Sequence, residues 1–336
     1  MIASLGVGLY APSGFAVEPA ALDRAVARLE ALCARVVVDA TCRTRWQRFS
    51  ATDDERLAAV LRMARDPRVD VAITLRGGYG WTRLLPHLDF RALAGAGKVW
   101  MGYSDFTAFQ LAALATTGMV TFAGPVATGD FGAPVPSEFT LAHWRDILDA
   151  PRHEASFALD GPDGDCTGTL WGGNLAMVAH LLGTPYFPQV DGGILFVEDV
   201  GETPYRIERM LYQLHHAGVL ARQRAILLGR FTEYALSDND GGYDLAAAVS
   251  ALRAVCATEP GLRVRPWPED PIARRLLLAA ADVAVALEHA VPLKQDNPAA
   301  KAGAPATVDP LKRYLAYEKA YVDGELDPAF KDLTAW

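Results

Sequence analysis

The sequence predicts an α/β protein in two domains, with a mostly parallel sheet covered by helices in the first. Three observations carry this expectation. Strand-like and helix-like segments alternate through the first half, the pattern of a parallel sheet with crossover helices. Two turn motifs, RGGYG at 76–80 and GYSD at 102–105, close apolar strands where ligands gather in such sheets. A stretch rich in Pro, Gly and Asp interrupts the 336-residue chain near its middle. The expected units are 1–150, an α/β domain; 151–166, a linker; 167–302, a second domain; and 303–336, an atypical helical tail.

Within the first unit, Leu5–Tyr10 reads as a strand and Pro19–Leu32 as a helix with Ala and Leu at helical spacing. Arg35–Asp39 is a β-branched run. Thr52 and Asp53 open a helix to about Ala64, with acids in its first turn. Val69–Leu75 and Lys98–Gly102 are apolar strands, and a long helix follows from about Asp105 to Thr116. In the second unit, WGGN leads a helix over Leu175–Leu182. After it come the strand Ile194–Glu198, the helix Pro204–Ala217 and the strand Ala225–Arg230. Beyond about Thr258 the composition shifts to Ala and Arg, and a last helix is expected from Asp309 to about Val322.

Hydrophobic residues make up 51% and charged residues 21%, the profile of a folded globular chain. A net charge of -8 without a basic stripe argues against nucleic-acid binding. No apolar run reaches membrane-spanning length, and the N-terminus carries no basic segment ahead of its apolar residues. The four cysteines (Cys33, Cys42, Cys166, Cys256) lack the spacing of a zinc site and read as reduced thiols. A cytoplasmic location is the expectation, with no nucleic-acid or membrane partner.

Ser104 lies between an apolar strand and a helix, where its hydroxyl is lifted into a cleft beside free helix N–H groups. The pattern departs from GxSxG, because Asp105 and Phe106 follow, and a plain helix-cap reading stays open. Gly77 and Gly78 permit positive φ and close backbone approach. They form either a simple turn or a turn whose Gly78 amide donates to an oxyanion while Tyr79 lines the pocket. Glu198 ends the apolar strand ILFVE, a costly place for an acid unless it is paired or used. It could orient a histidine or form a salt bridge to Arg206 or Arg209. Among the seven histidines, His180 reads as a packed core residue, and His215 and His216 as helix-end residues.

Taken together, RGGYG, GYSDFTAFQ, TFAGP, GTLWGGNLAMVAHLLGTPYFP, GILFVEDVGETPYRIERMLYQLHHAGVL and GRF resemble the serine LD-carboxypeptidases, the superfamily that also holds the microcin C immunity protein. The resemblance spans Ala11 to about Asp244. It implies a flavodoxin-like N-terminal domain, a smaller β-rich C-terminal domain and a homodimer, with no metal or organic cofactor. The implied reaction releases D-alanine from a murein tetrapeptide during cytoplasmic peptidoglycan recycling. Ser104 matches the nucleophile, Glu198 the triad acid, and the Gly78 and Asp105 amides the oxyanion hole. Trp171 and Asn174 match the cleft element. The family's histidine segment corresponds here to RPWPEDPIARRLLLAAADVAVAL, which sets Asp270 at the histidine position and Glu269 at the preceding glycine. His289 follows about twenty residues late. Two alternatives follow: a catalytically impaired muropeptide-binding homologue, or a hydrolase of peptidyl nucleotides.

Overall fold

Alternate residues of the first strands face two separate cores, so both faces of the sheet are covered. The structure, a computed structural model, describes residues 2–150, 153–155, 166–256, 263–266 and 278–280. The first sheet runs through β1 (Gly6–Tyr10), β2 (Arg35–Val38), β3 (Val71–Thr74), β4 (Val99–Gly102) and β5 (Thr121–Ala123). Among these strands the order is β5-β4-β3-β1-β2, all parallel. Val7, Leu9, Val71 and Ile73 belong to one core, and Tyr10 and Ala72 to the other. A period of two on a doubly covered sheet requires this division.

Helices α1 (Pro19–Glu30) and α6 (Glu138–Asp149) cover one face. The other carries α2 (Asp53–Arg65), α3 (Trp81–Leu84), α4 (Phe90–Gly95) and α5 (Phe106–Thr117). Helix α2 opens with a complete capping box: the Glu55 amide donates to Thr52 Oγ1 at 3.4 Å, and Glu55 Oε2 accepts from the Thr52 amide at 3.0 Å. Every residue of α5 from Phe106 to Ala113 is buried. A helix apolar all round must be covered all round. The sheet side of α5 packs through Phe109 on Trp81 (4.6 Å) and Trp100 (5.5 Å), and the helix also contacts the second unit.

The second sheet has the order β6-β7-β8-β9, all parallel: β6 (Leu170–Asn174), β7 (Gly193–Val200), β8 (Gln223–Thr232) and β9 (Arg263–Pro266). Helices α7 (Leu175–Leu181), α8 (Pro204–His216) and α9 (Leu245–Cys256) accompany it. WGGN is thus the end of a strand as well as the lead into a helix. Strand β10 (Leu278–Ala280), from the stretch expected to belong to the second domain, instead pairs antiparallel with β5 of the first sheet. Among the described residues no helix is long and apolar enough to cross a membrane. The expected helix at 309–322, the 303–336 tail and most of the 151–166 linker lie outside the described residues.

Candidate active site

Strand β4 delivers the chain directly into α5, and Ser104 occupies the corner with φ +61°, a left-handed conformation rare for a residue with a side chain. Such strain persists only where the surroundings enforce it. The enforcing groups surround the next residue. Asp105 is buried, and its Oδ2 accepts from the Ser13 hydroxyl at 2.6 Å and from the Trp81 amide at 3.1 Å. Desolvation raises its carboxyl above the ordinary range, opposed by the Ser13 and Trp81 donors and the nearby Arg56. Helix α5 continues with the Thr107 amide donating to the Ser104 carbonyl at 2.9 Å. Among the described residues, the Ser104 hydroxyl and the Gly78 and Asp105 amides make no protein hydrogen bond.

The RGGYG turn lies against this corner. A Cβ on Gly77 would sit 2.7 Å from Ser104 Cβ and 2.8 Å from its hydroxyl oxygen, so any side chain there would displace the serine. Gly78 has φ +120°, which few side chains tolerate. The Gly77 carbonyl accepts from the Gly14 amide at 3.3 Å, and Gly14 also bridges to Phe49. Three loops therefore meet beside Ser104. Arg56, fully buried, ties them: it donates to the carbonyls of Pro12, Ala51 (3.3 Å) and Gly80 (3.2 Å) and pairs with Asp53. Its guanidinium also lies 4.6 Å from the Phe49 ring centre. Tyr79 is 36% exposed, packs on Phe49 at 6.0 Å and lies under Arg48.

The second sheet reaches the same corner through β6. Gly173 has φ +129°, and a Cβ there would lie 2.4 Å from Thr107 Oγ1. The Asn174 amide donates to that oxygen at 3.0 Å. Asn174 is register partner to Glu198 across β6 and β7. A short chain of contacts thus joins Ser104, Thr107, Asn174 and Glu198. Burial raises the Glu198 carboxyl to about 8, the neighbouring Asp199 adds to this, and a hydrogen bond from Asn174 opposes it. A Cβ on Gly229 would approach Glu198 Cβ within 2.9 Å, so the GRF glycine leaves room for this side chain.

Several sequence expectations need correction. Trp171 is 1% exposed, donates its indole N–H to Gln223 Oε1 at 2.9 Å and packs edge-on against Phe187. An indole so enclosed is core, not cleft surface. Asn174 is also buried; its amide donates to Asp199 Oδ1 at 2.8 Å and its carbonyl caps the Met177 amide at 3.1 Å, so it acts as a helix cap and a support for the acids. The salt-bridge alternative for Glu198 fails at Arg206, which approaches Glu202 at 3.6 Å. His180 is exposed and not packed in the core. None of the six described histidines contacts Ser104, and Glu269, Asp270 and His289 lie outside the described residues.

Sequence reasoning missed Ser13, Arg56 and Asp199. Asp199 accepts from Asn174, from the Ala176 amide at 2.8 Å and from the Val200 amide at 2.9 Å, which anchors the N-terminus of α7. The adjacent acids in FVEDVG carried a signal for it, since a strand end with two acids must satisfy both. Nothing in the pattern of α2 marked Arg56 as its buried arginine.

Comparison with known proteins points to one family for both units. The LD-carboxypeptidase N-terminal domain matches residues 7–124, and the LD-carboxypeptidase C-terminal domain matches 167–262. A probable murein peptide carboxypeptidase of Bacillus subtilis is 34% identical, over 67% of this chain and 72% of its own. A murein tetrapeptide carboxypeptidase of Pseudomonas aeruginosa is 33% identical, over 68% of this chain and 76% of its own. The crystal structure of a muramoyltetrapeptide carboxypeptidase from Oxalobacter formigenes superimposes with a TM-score of 0.73 at 41% identity, covering 82% of this chain and 92% of that one. The microcin C7 self-immunity protein shares the fold, with a TM-score of 0.71 at 22% identity over 80% of this chain and 88% of its own.

Proposed function

The chain belongs to the LD-carboxypeptidase family, and from that premise we propose that it is a serine-type enzyme releasing the terminal D-alanine of a murein tetrapeptide. The observation that carries the reading is the strained Ser104 at the mouth of α5, with its hydroxyl uncommitted and Gly77 packed against it. In the reaction, Ser104 Oγ attacks the carbonyl carbon of the diaminopimelate L-centre while its proton passes to a base. The resulting oxyanion is held by the Gly78 and Asp105 N–H groups, the second of them at a helix N-terminus. Collapse expels the D-alanine amine, which takes up the proton, and water then cleaves the acyl-enzyme. Glu198 supports the base from β7. The enzyme serves cytoplasmic peptidoglycan recycling, as a homodimer.

The base must come from outside the described residues. A second reading rests on that point: with Asp270 in the family's histidine position, the protein binds the tetrapeptide without efficient turnover, since an aspartate of ordinary pKa is a poor base at neutral pH. D-alanine release from murein tetrapeptide, with Ser104→Ala as the blank, decides between them. Turnover above the blank establishes the enzyme, and His289→Ala then asks which imidazole serves. Tetrapeptide binding without release, converted to release by Asp270→His with Glu269→Gly, establishes the impaired homologue. Absence of both binding and release overturns the muropeptide assignment.

A further inference from the structure

Helix α6 covers the face of the first sheet opposite α5, with Leu141 and Trp144 buried in the core and Trp144 edge-on to Phe131 at 4.9 Å. Its other side carries chemistry that the Ser104 site does not use. His143 and Asp146 stand one helical turn apart, a spacing that puts both side chains on one face. After the helix ends at Ala150 in extended conformation, the chain brings His153 back over that face. His143 Nδ1 and His153 Nε2 approach to 2.7 Å with the rings nearly perpendicular, at 86°. A carboxylate oxygen of Asp146 completes a trio whose ligand atoms all lie within 4.8 Å of one another.

Two half-buried imidazoles pointing nitrogens at each other from ten residues apart is an uncommon use of histidine. At that distance one ring must donate and the other accept. A divalent ion replaces the shared proton with a small movement: zinc bonds of about 2.05 Å in tetrahedral geometry set the two nitrogens about 3.3 Å apart. The Phe139 ring packs on His143 with centres 4.0 Å apart and fixes its orientation. Exposed Asp146 supplies negative charge at the solvent side.

We propose that His143, Asp146 and His153 form a binding site for a divalent transition-metal ion, with zinc as the ion its two nitrogens and one oxygen fit best. Three protein ligands leave a fourth position for water. The site lies on the far side of the first sheet from α5 and takes no part in the Ser104 chemistry. Its consequence is structural: the ion ties the segment that follows α6 to the helix, where the chain passes from the first sheet toward the second.

The test uses tag-free full-length protein stripped with chelator and titrated with zinc chloride. One zinc per chain is expected, with a melting temperature raised by about 5 °C at 100-fold excess over Kd. His143→Ala and His153→Ala should each weaken binding by more than about 100-fold, and Asp146→Asn by about 10-fold. Because Asp146 is exposed, its amide variant reports on ligation without disturbing the fold. Cobalt in place of zinc should give the visible absorption of a tetrahedral centre, lost in both histidine variants. Undiminished zinc binding in the His143→Ala/His153→Ala double variant would overturn the assignment. So would failure of the wild-type chain to bind zinc, which leaves a proton-sharing histidine pair.

Discussion

The Ser104 corner and the Glu198 strand end meet across the two sheets, yet they are built on opposite electrostatic terms. Around Ser104 each buried charge has several partners: Asp105 takes donors from Ser13 and Trp81, and Arg56 spreads over three carbonyls and Asp53. The strain at Ser104 is held in place by that satisfied framework. At the end of β7 the donors go mainly to Asp199, and Glu198 receives little beyond Asn174. The Ser104 side is therefore tied down by many donors. The acid side holds a carboxyl that favours its proton, and an ionised Glu198 needs a cation that the described residues do not supply. Preorganisation and charge balance are separate requirements of one site, and different sheets meet them.

The largest test of the contrast is Ser104→Ala. Removing the nucleophile should lower D-alanine release by at least about 1,000-fold relative to the unmodified chain, with thermal unfolding nearly unchanged because only a hydroxyl leaves. Equal release by both proteins removes Ser104 from the chemistry.

Arg56→Met probes the framework beneath it. The variant strands three carbonyl acceptors and leaves Asp53 paired with Arg83 alone, and should cost about 3 kcal/mol in denaturant unfolding. A loss below about 1 kcal/mol would mean that the loops meeting at Ser104 are held by packing alone.

Glu198→Gln sharpens the acid side through pH. The folded pKa of about 8 lies above the ordinary 4.5, so between those values the folded state holds a proton the unfolded chain releases. Stability therefore falls as pH rises from about 4.5 to about 8, and the amide variant escapes that loss. At pH 8.5 the variant should be more stable by roughly 2 kcal/mol, the full linkage being reduced by partial solvent access, and at pH 4 the two should coincide. Identical pH profiles would place a cation beside Glu198 from outside the described residues.

Asn174→Ala gives the smallest expected effect, about 1–2 kcal/mol in thermal unfolding, from a lost α7 cap and a lost donor to Asp199. A neutral result would show that the backbone amides of Ala176 and Val200 satisfy Asp199 without help.

The sequence by itself determined the strand–helix alternation, the Thr52 cap and the strand–turn–helix setting of Ser104, because each is local. A period of hydrophobicity, a side chain reaching three residues ahead and an apolar run closed by glycines can all be read along the chain. It also determined that Glu198, an acid closing an apolar strand, would be a problem to solve. Only the tertiary structure decided how it was solved. The resemblance puts Trp171 in the cleft, but the adjacent glycines let β6 pack so closely that the indole is enclosed. Arg56 sits among polar residues on α2 and is buried only because three loops need one donor between them. Ser13 meets Asp105 across 92 positions, β10 returns to an edge that no local pattern specifies, and His143 meets a histidine ten positions on, beyond the end of its own helix. Contacts between distant residues leave no period in the sequence, because the geometry that selects them exists only once the sheets have formed.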